Sequence, residues 1–598
     1  MFDVRKFFPF LEWIHEIKDP TVLRADLLAG ITVSLVLIPQ SMAYAQLAGL
    51  PPYFGLYIAF MPVLIAALWG SSRQLATGPV AVVSIMTATA LATVVGGTAL
   101  SNPELAAQYI PLAMFLALLV GIFQLLLGVF RLGVIVNFLS HPVILGFTNA
   151  AALVIGLSQL SKIFGVTMPG LASDHFITIR IGGVVQQLGE THLPTLAMGV
   201  SAFAIMMGLK KYYPRMPGVL IAVVLTTVLS WLISFDAKLG GGVVGEIPAG
   251  LPDVIIPNID IDMLLTLLPS AVIIALVGFM EAISIAKAMA AKTKHRIDPN
   301  QELIGQGLGN IFGSFTQAYP SSGSFSRSAV NLNAGARSGF SSVVTATIVV
   351  ITLLFLTPLL YHLPTSVLAA VIMMAVFGLI SISAMKHAWL ANKHDGIAGI
   401  VTFVATLAFA PHLDKGIMIG AILSITLYLY RTMKPRVATL GRYKDGTLRD
   451  LRVHPELITD DKVVAIRFDG SLYFANVSYF EDTILATVAN KPDIKFILVV
   501  GNSINQLDAS GESVLHHIVQ RMHDNGITIV FSGLKKQILD VMRRTGLYEQ
   551  IGEQNIHATA DMALKDIYQQ LKLLKDSDKE LFCPLYPTYL SDGYERSE

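Results

Sequence analysis

Cysteine is almost absent from this chain: one residue in 598, Cys583. A lone thiol excludes an intramolecular disulfide framework and any multi-cysteine zinc or iron–sulfur centre. Charge is scarce as well. Asp, Glu, Lys and Arg make up 14% of the residues, where soluble chains carry about 25%. The shortage is uneven, because 43 of the 83 charged residues fall in residues 432–598, about 26% of those positions against about 9% before them. With 54% hydrophobic residues and a mean hydropathy of +0.63, the first part is a membrane body and the second a soluble tail. A soluble enzyme, a disordered scaffold and a nucleic-acid binder are thereby excluded. The net charge of +1 offers no purchase on DNA or RNA. No nucleophile–base pairing and no cofactor loop is visible, so neither enzymatic chemistry nor a cofactor or metal is expected. The opening residues, MFDVRKFFPFLEWIHEIKDP, mix both charge signs with aromatics. They lack the apolar core and small-residue cleavage site of a signal peptide, so residues 1–25 read as a cytoplasmic amphipathic lead-in.

Long uncharged runs take up most of residues 26–431. A helix crossing about 30 Å of hydrocarbon needs about 20 apolar residues. Residues 27–72 and 338–385 contain no charged side chain, and each run is long enough for two crossings. Single crossings fit 105–130, 132–161, 191–209, 216–235, 263–286, 396–413 and 416–430. The Gly/Pro-interrupted stretches 74–103 and 303–336 bring the expected count to fourteen. With both termini inside, seventeen basic residues fall on the cytoplasmic side, from Arg5 to Arg431, and only Lys162, Arg180, Lys238 and Lys415 outside. That asymmetry is what the positive-inside rule requires of a correct count.

The two halves echo each other. Gln40, in LVLIPQSMAYA, is followed 38 residues later by the break Gly78-Pro79, and Glu281, in LVGFMEAISIA, is followed 41 residues later by Ser322 in the break Pro320-Ser321-Ser322-Gly323. Seven spans per half is odd, so the halves would insert in opposite orientations, the architecture of a secondary transporter. Two unrelated Gly/Pro kinks are the plainer alternative. Thr77-Gly78-Pro79 reads as a helix start with a threonine cap, and Ser321 or Ser322 as the cap of a second start. A helix N-terminus offers unpaired N–H groups and about half a positive charge, which suits an anion. The hydroxyls of Ser322, Ser324 and Ser326 are candidate further donors. Arg327 either adds a positive field to that site or snorkels to the cytoplasmic surface. Glu281, six residues before Lys287, either cycles a proton or pairs with Arg327 or Lys287.

The order LIPQSMAYAQLAGLPPYFGLY, GSSRQLATGPVAVVS, HPVILGFTNAAALVIGLSQL and YPSSGSFSRSAVN resembles the SulP family of anion transporters, the sulfate permeases, and within it the proton-coupled sulfate branch. The resemblance implies an α-helical polytopic membrane protein with fourteen spans in a seven-plus-seven inverted repeat, divided into core and gate domains. It places the anion pocket on Gln40, Tyr44, the backbone at Val80 and Ala81, Ser324, Ser326 and Arg327, and the coupling carboxylate on Glu281. It implies sulfate and protons as the transported partners, a homodimer in the cytoplasmic membrane, and lipid as the surrounding medium. Bicarbonate, chloride and dicarboxylates are the competing substrates.

From Val463 the pattern changes to VVAIRF, SYFEDTILATVAN, KFILVV, SGESVLHHIVQRMHDNG, ITIVF and KKQILDVMRRTG, an alternation of strand and helix that predicts a small cytoplasmic α/β domain over 440–575. It resembles the STAS domain that ends SulP proteins and is related to bacterial anti-sigma-factor antagonists. The resemblance makes Ser510, in Asp508-Ala509-Ser510-Gly511, a possible phosphorylation site; a helix-capping turn is the alternative. A membrane anion sensor reporting through this domain is the competing class of function. His516 and His517 share one helix with no third ligand in sight. Residues 576–598 are a polar tail.

Overall fold

The computed structural model describes residues 8–96, 103–133, 140–166, 182–183, 186–213, 216–257, 261–410, 412–443, 445–457, 459–573 and 585. Arg180, Cys583 and the tail 576–584 and 586–598 lie outside them. The chain forms two compact units, Met1–Ser424 and Ile425–Glu598, divided within the helix Leu413–Met433.

Apolar helices build the first unit. Among the described residues eight are long and apolar enough to cross a membrane: Pro20–Leu47, Leu105–Val129, His141–Phe164, Leu193–Tyr212, Ile261–Thr293, Phe340–Leu360, Thr365–Ala391 and Lys415–Met433. Shorter helices include Phe54–Ile58, Met61–Trp69, Ala81–Val95, Gly218–Ile233, Pro299–Phe315, Phe325–Asn333 and Lys393–Ala408. Their outward faces keep large apolar side chains exposed, such as Trp231, Leu232 and Leu390, which is the surface that hydrocarbon requires.

Small residues and buried polar groups set the packing. A Cβ added to Gly121 would lie 2.7 Å from the Gly307 carbonyl oxygen, and one on Gly307 would lie 2.6 Å from Leu125 N, so the helices Pro103–Val129 and Pro299–Phe315 touch backbone to backbone. Across this contact Asn310 donates to Gln124 Oε1 at 2.9 Å, and Gln124 donates onward to the Ala275 carbonyl at 3.2 Å. Two fully buried carboxylates join the halves reciprocally. Asp26, near the start of the first long helix, accepts from Arg337 N at 2.7 Å, Ser338 N at 3.1 Å and Ser338 Oγ at 2.5 Å. Glu302, in the second half, accepts from Ser71 N at 2.9 Å, Ser71 Oγ at 3.1 Å and Ser72 N at 3.0 Å. Each carboxylate replaces its lost hydration with donors from the other half, which is the condition for burying it.

The first unit also holds two short strands, Thr77–Gly78 (β1) and Ser322–Gly323 (β2), and the second unit is a six-stranded sheet made of Val437–Arg442 (β3), Leu448–Asp450 (β4), Val463–Phe468 (β5), Phe496–Val500 (β6), Thr528–Ser532 (β7) and Ile556–His557 (β8), in the order β4-β3-β5-β6-β7-β8. β5 to β8 run parallel, as the expected strand–helix alternation demands, and β3 pairs antiparallel with both β4 and β5. β3 and β4 precede the point where the sequence pattern becomes clear. Val477–Asn490, Ala509–Asp524 and Lys536–Thr545 cover one face, packing Phe480, Leu515, Ile518, Ile538 and Met542 against Phe468, Val499 and Phe531. Ala560–Leu573 covers the other with Ala563, Leu564 and Ile567. Burying both faces is what makes these strands near-continuous runs of Val, Ile, Leu and Phe.

Candidate functional site

The two Gly/Pro breaks meet. Thr77–Gly78 (β1) and Ser322–Gly323 (β2) pair antiparallel, Thr77 opposite Gly323 and Gly78 opposite Ser322, and Ser324 N donates to the Ala76 carbonyl at 2.9 Å. A helix starts just beyond each strand, Ala81–Val95 after β1 and Phe325–Asn333 after β2. Short buried strands satisfy backbone groups that would otherwise be stranded in an apolar interior.

The caps differ from those the sequence predicted. Thr77 does not cap the first helix, because it lies within β1 and its Oγ1 accepts from Gln306 Nε2 at 2.9 Å. Val80 takes the N-cap position and supplies no side-chain acceptor. The N–H groups of Ala81, Val82 and Val83 are therefore left without a capping side chain, the arrangement that attracts an anion. In the second start the cap is Ser324, whose Oγ accepts from Arg327 N at 3.5 Å. Ser321 and Ser322 are committed elsewhere: Ser321 donates from N and Oγ to Asn310 Oδ1 at 2.7 and 2.9 Å, and Ser322 Oγ donates to the Gly278 carbonyl at 2.6 Å. Ser322 is thus removed from the candidate donors.

Arg327 is fully buried, which excludes snorkelling to the surface. Its Nη1 donates to Gln40 Oε1 at 3.1 Å, and the same amide donates through Nε2 to the Tyr44 hydroxyl at 3.0 Å. Gln40 and Tyr44 are four residues apart on Pro20–Leu47 and share a helix face. Pro39 removes one backbone N–H next to Gln40, freeing the Leu35 carbonyl in the middle of that helix. Gln40 thus orients both neighbours, and Tyr44, accepting from the amide, keeps its own proton to donate. Arg327 Nε and Nη2 have no protein partner. Gly78 makes room for them: its φ is +138°, and a Cβ there would come within 3.3 Å of Nη2. Ser324 is buried, and Ser326, exposed, has its Oγ 3.4 Å from that of Ser324.

Glu281 lies on Ile261–Thr293 within reach of the charge of Arg327. Among the described residues neither Arg327 nor Lys287 forms a salt bridge with it, and its Oε2 is buried without a hydrogen-bond partner. The paired reading of this carboxylate is therefore not what the geometry displays.

Sequence reasoning missed two residues here. Tyr319 and Ser84, both buried, bring their hydroxyls to 3.3 Å of each other, and Tyr319 lies within reach of the charge of Arg327. Nothing local in the sequence marks them; it is the β1–β2 register that carries residue 319 alongside the helix that begins at Ala81. In the second unit Ser510 is exposed, and the Asp508–Gly511 segment forms a helix-capping turn in which Asp508, not Ser510, is the cap and accepts from Gly511 N at 2.8 Å. His516 stands 3.3 Å from Glu512, and no group of His, Cys, Asp and Glu fit to hold a metal ion occurs among the described residues.

Buried donors gathered at paired half-helix starts inside a polytopic membrane body define a transporter of anions, not an enzyme. The chain belongs to the sulfate permease family, whose model matches residues 23–402, and carries a STAS domain over residues 454–563. It is 35% identical to sulfate transporter 4.1, chloroplastic, of Arabidopsis thaliana over 96% of this chain and 84% of that one. It is 31% identical to high affinity sulfate transporter 2 of Stylosanthes hamata over 92% and 85%. In fold it is similar to the murine solute carrier 26 family member A9 anion transporter, with a TM-score of 0.87 at 24% identity over 95% of this chain and 94% of that one. The transmembrane domain of the cyanobacterium bicarbonate transporter BicA is also similar, with a TM-score of 0.56 at 22% identity over 67% and 97%.

Proposed function

We propose that this protein takes up sulfate across the cytoplasmic membrane by proton symport, with the anion bound where the two half-helices start. One observation carries the reading: a fully buried arginine with two unspent guanidinium nitrogens facing a helix start that no side chain caps. Such a group is stable in a membrane interior only with an anion or ordered water against it. Arg327 supplies the positive field, Tyr44 a hydroxyl donor, and the Val80–Ala81 backbone the helix-end donors. Ser324 and Ser326 complete the ring, and Gln40 holds Arg327 and Tyr44 in register. Glu281 carries the coupled proton, since its unpartnered carboxylate lies beside the positive field and its protonation removes a negative charge next to the incoming dianion. Sulfate as the substrate is supported by the curated relatives, several of which are named sulfate transporters.

The same proposal includes fourteen crossings in two inverted halves, both termini in the cytoplasm, and a core that moves against a gate to give alternating access. A moving core needs a fixed neighbour, so the protein works as a homodimer; its mass in lipid nanodiscs should be twice that of one chain, and a monomer there contradicts this. Purified protein in liposomes, acid outside, should accumulate labelled sulfate. Accumulation driven equally by a sodium gradient, or carriage of bicarbonate in place of sulfate, contradicts the proposal.

A further inference from the structure

The hydroxyl pair of Ser84 and Tyr319 has more hydrogen-bonding capacity than it uses. The two oxygens are 3.3 Å apart, so one hydroxyl donates to the other. The accepting hydroxyl still has its own proton, and no other described side chain or backbone group takes it. Both residues are buried, with 0% of Ser84 and 1% of Tyr319 left exposed. A buried hydroxyl proton without an acceptor is costly, and native structures almost always give it one.

Position indicates where that acceptor lies. Ser84 sits in the first turn of Ala81–Val95, and helical side chains lean back toward the N-terminus, so its hydroxyl tilts toward the uncapped N–H groups of Ala81 to Val83. Tyr319 comes from the other half, three residues before β2, where the register with β1 carries it alongside the start of Ala81–Val95 and within reach of the charge of Arg327. The unspent proton therefore belongs to the same cluster as Arg327 Nε and Nη2, the Tyr44 hydroxyl and the helix-start amides. Every member of that cluster is a donor. An anion with several acceptor oxygens offers each donor its own directed lone pair, whereas a halide, a single smaller atom, reaches fewer of these fixed donors at good hydrogen-bond distance.

We infer that Ser84 and Tyr319 form a further binding element of the anion site, one shared hydroxyl donor that bridges the two half-helices and favours oxyanions over halides. The inference rests on the reading of the cluster as the anion site. Wild-type protein is measured first, by the upward shift of its melting temperature on adding sulfate and by sulfate uptake into liposomes. Tyr319→Phe, Ser84→Ala and the double variant follow, each checked for a monodisperse profile. Each single change should raise the KM for sulfate about tenfold with a smaller effect on the maximal rate. The double variant should be no more than about twofold worse than the poorer single, because the pair acts as one donor. Inhibition of sulfate uptake by chloride should strengthen in all three. Wild-type protein that neither binds nor carries sulfate overturns the site reading and this inference with it. Wild-type binding with KM and chloride inhibition unchanged in both single variants overturns the inference alone. A lowered melting temperature with a normal KM also overturns it, since that marks the pair as a structural strut, and so does full additivity in the double variant.

Discussion

Arg327 shows how a residue can be legible in sequence while its environment is not. A lone arginine between Glu302 and Arg337 beside a Gly/Pro break stands out in an apolar stretch. That it is fully buried, oriented by Gln40, and left with two free nitrogens depends on a contact 287 residues away in sequence. Replacing it separates charge from geometry. Arg327→Ala should weaken sulfate binding about a hundredfold, the loss typical of a buried charged donor. Arg327→Lys should retain part of the affinity, keeping the charge without the planar fork. Isothermal titration of both variants checks this, and equal loss in the two would mean that charge contributes nothing. Gln40 was legible as a polar residue late in an apolar span, whereas Tyr44 came only from the resemblance to the SulP family. Tyr319 and Ser84 were not legible: a tyrosine before a proline and a serine inside an apolar helix look ordinary until strand register brings them together.

At the scale of elements, the sequence announces that two helices start inside the membrane body but misassigns how they start. Thr77 has the side chain of a cap, yet pairing with Gly323 draws it into a strand, where its hydroxyl serves Gln306 instead. The helix that follows is left uncapped, which makes it useful to an anion. Local signals cannot reveal this, because the competing partner lies in the other half of the chain. The reciprocal contacts of Asp26 and Glu302 were hidden for the same reason, each spanning more than 200 residues. Gly78 is the point where element and site meet. Gly78→Ala places a side chain at φ +138° and 3.3 Å from Arg327 Nη2. The protein should lose about 1–2 kcal/mol of stability from the strained backbone. Its sulfate-induced rise in melting temperature should shrink as well, because the new methyl crowds the guanidinium. A variant with lower stability and an undiminished sulfate shift would separate Gly78 from the site.

For the whole molecule, charge distribution alone divided membrane body from soluble tail, and the two compact units divide at Ser424, inside the last long helix. Strand–helix alternation disclosed β5, β6 and β7, while β3 and β4, which precede the alternation, and the two-residue β8 went unread. The proposed symport requires an anion site joined to a proton site. Under that proposal Glu281 is suited to the proton, because among the described residues its buried Oε2 has no hydrogen-bond partner and the charge of Arg327 lies within reach. Glu281→Gln imitates the protonated form, so it should preserve sulfate binding and sulfate-for-sulfate exchange while abolishing net coupled movement. The most direct measurement is therefore proton flow itself, read with a pH dye trapped in liposomes that start with no pH gradient. Adding sulfate outside the wild-type protein should acidify the interior at a rate that follows sulfate entry. The Glu281→Gln protein should still exchange sulfate but leave the interior pH unchanged. Sulfate entry through the wild type with no acidification, or acidification that persists in Glu281→Gln, would contradict proton coupling through this carboxylate.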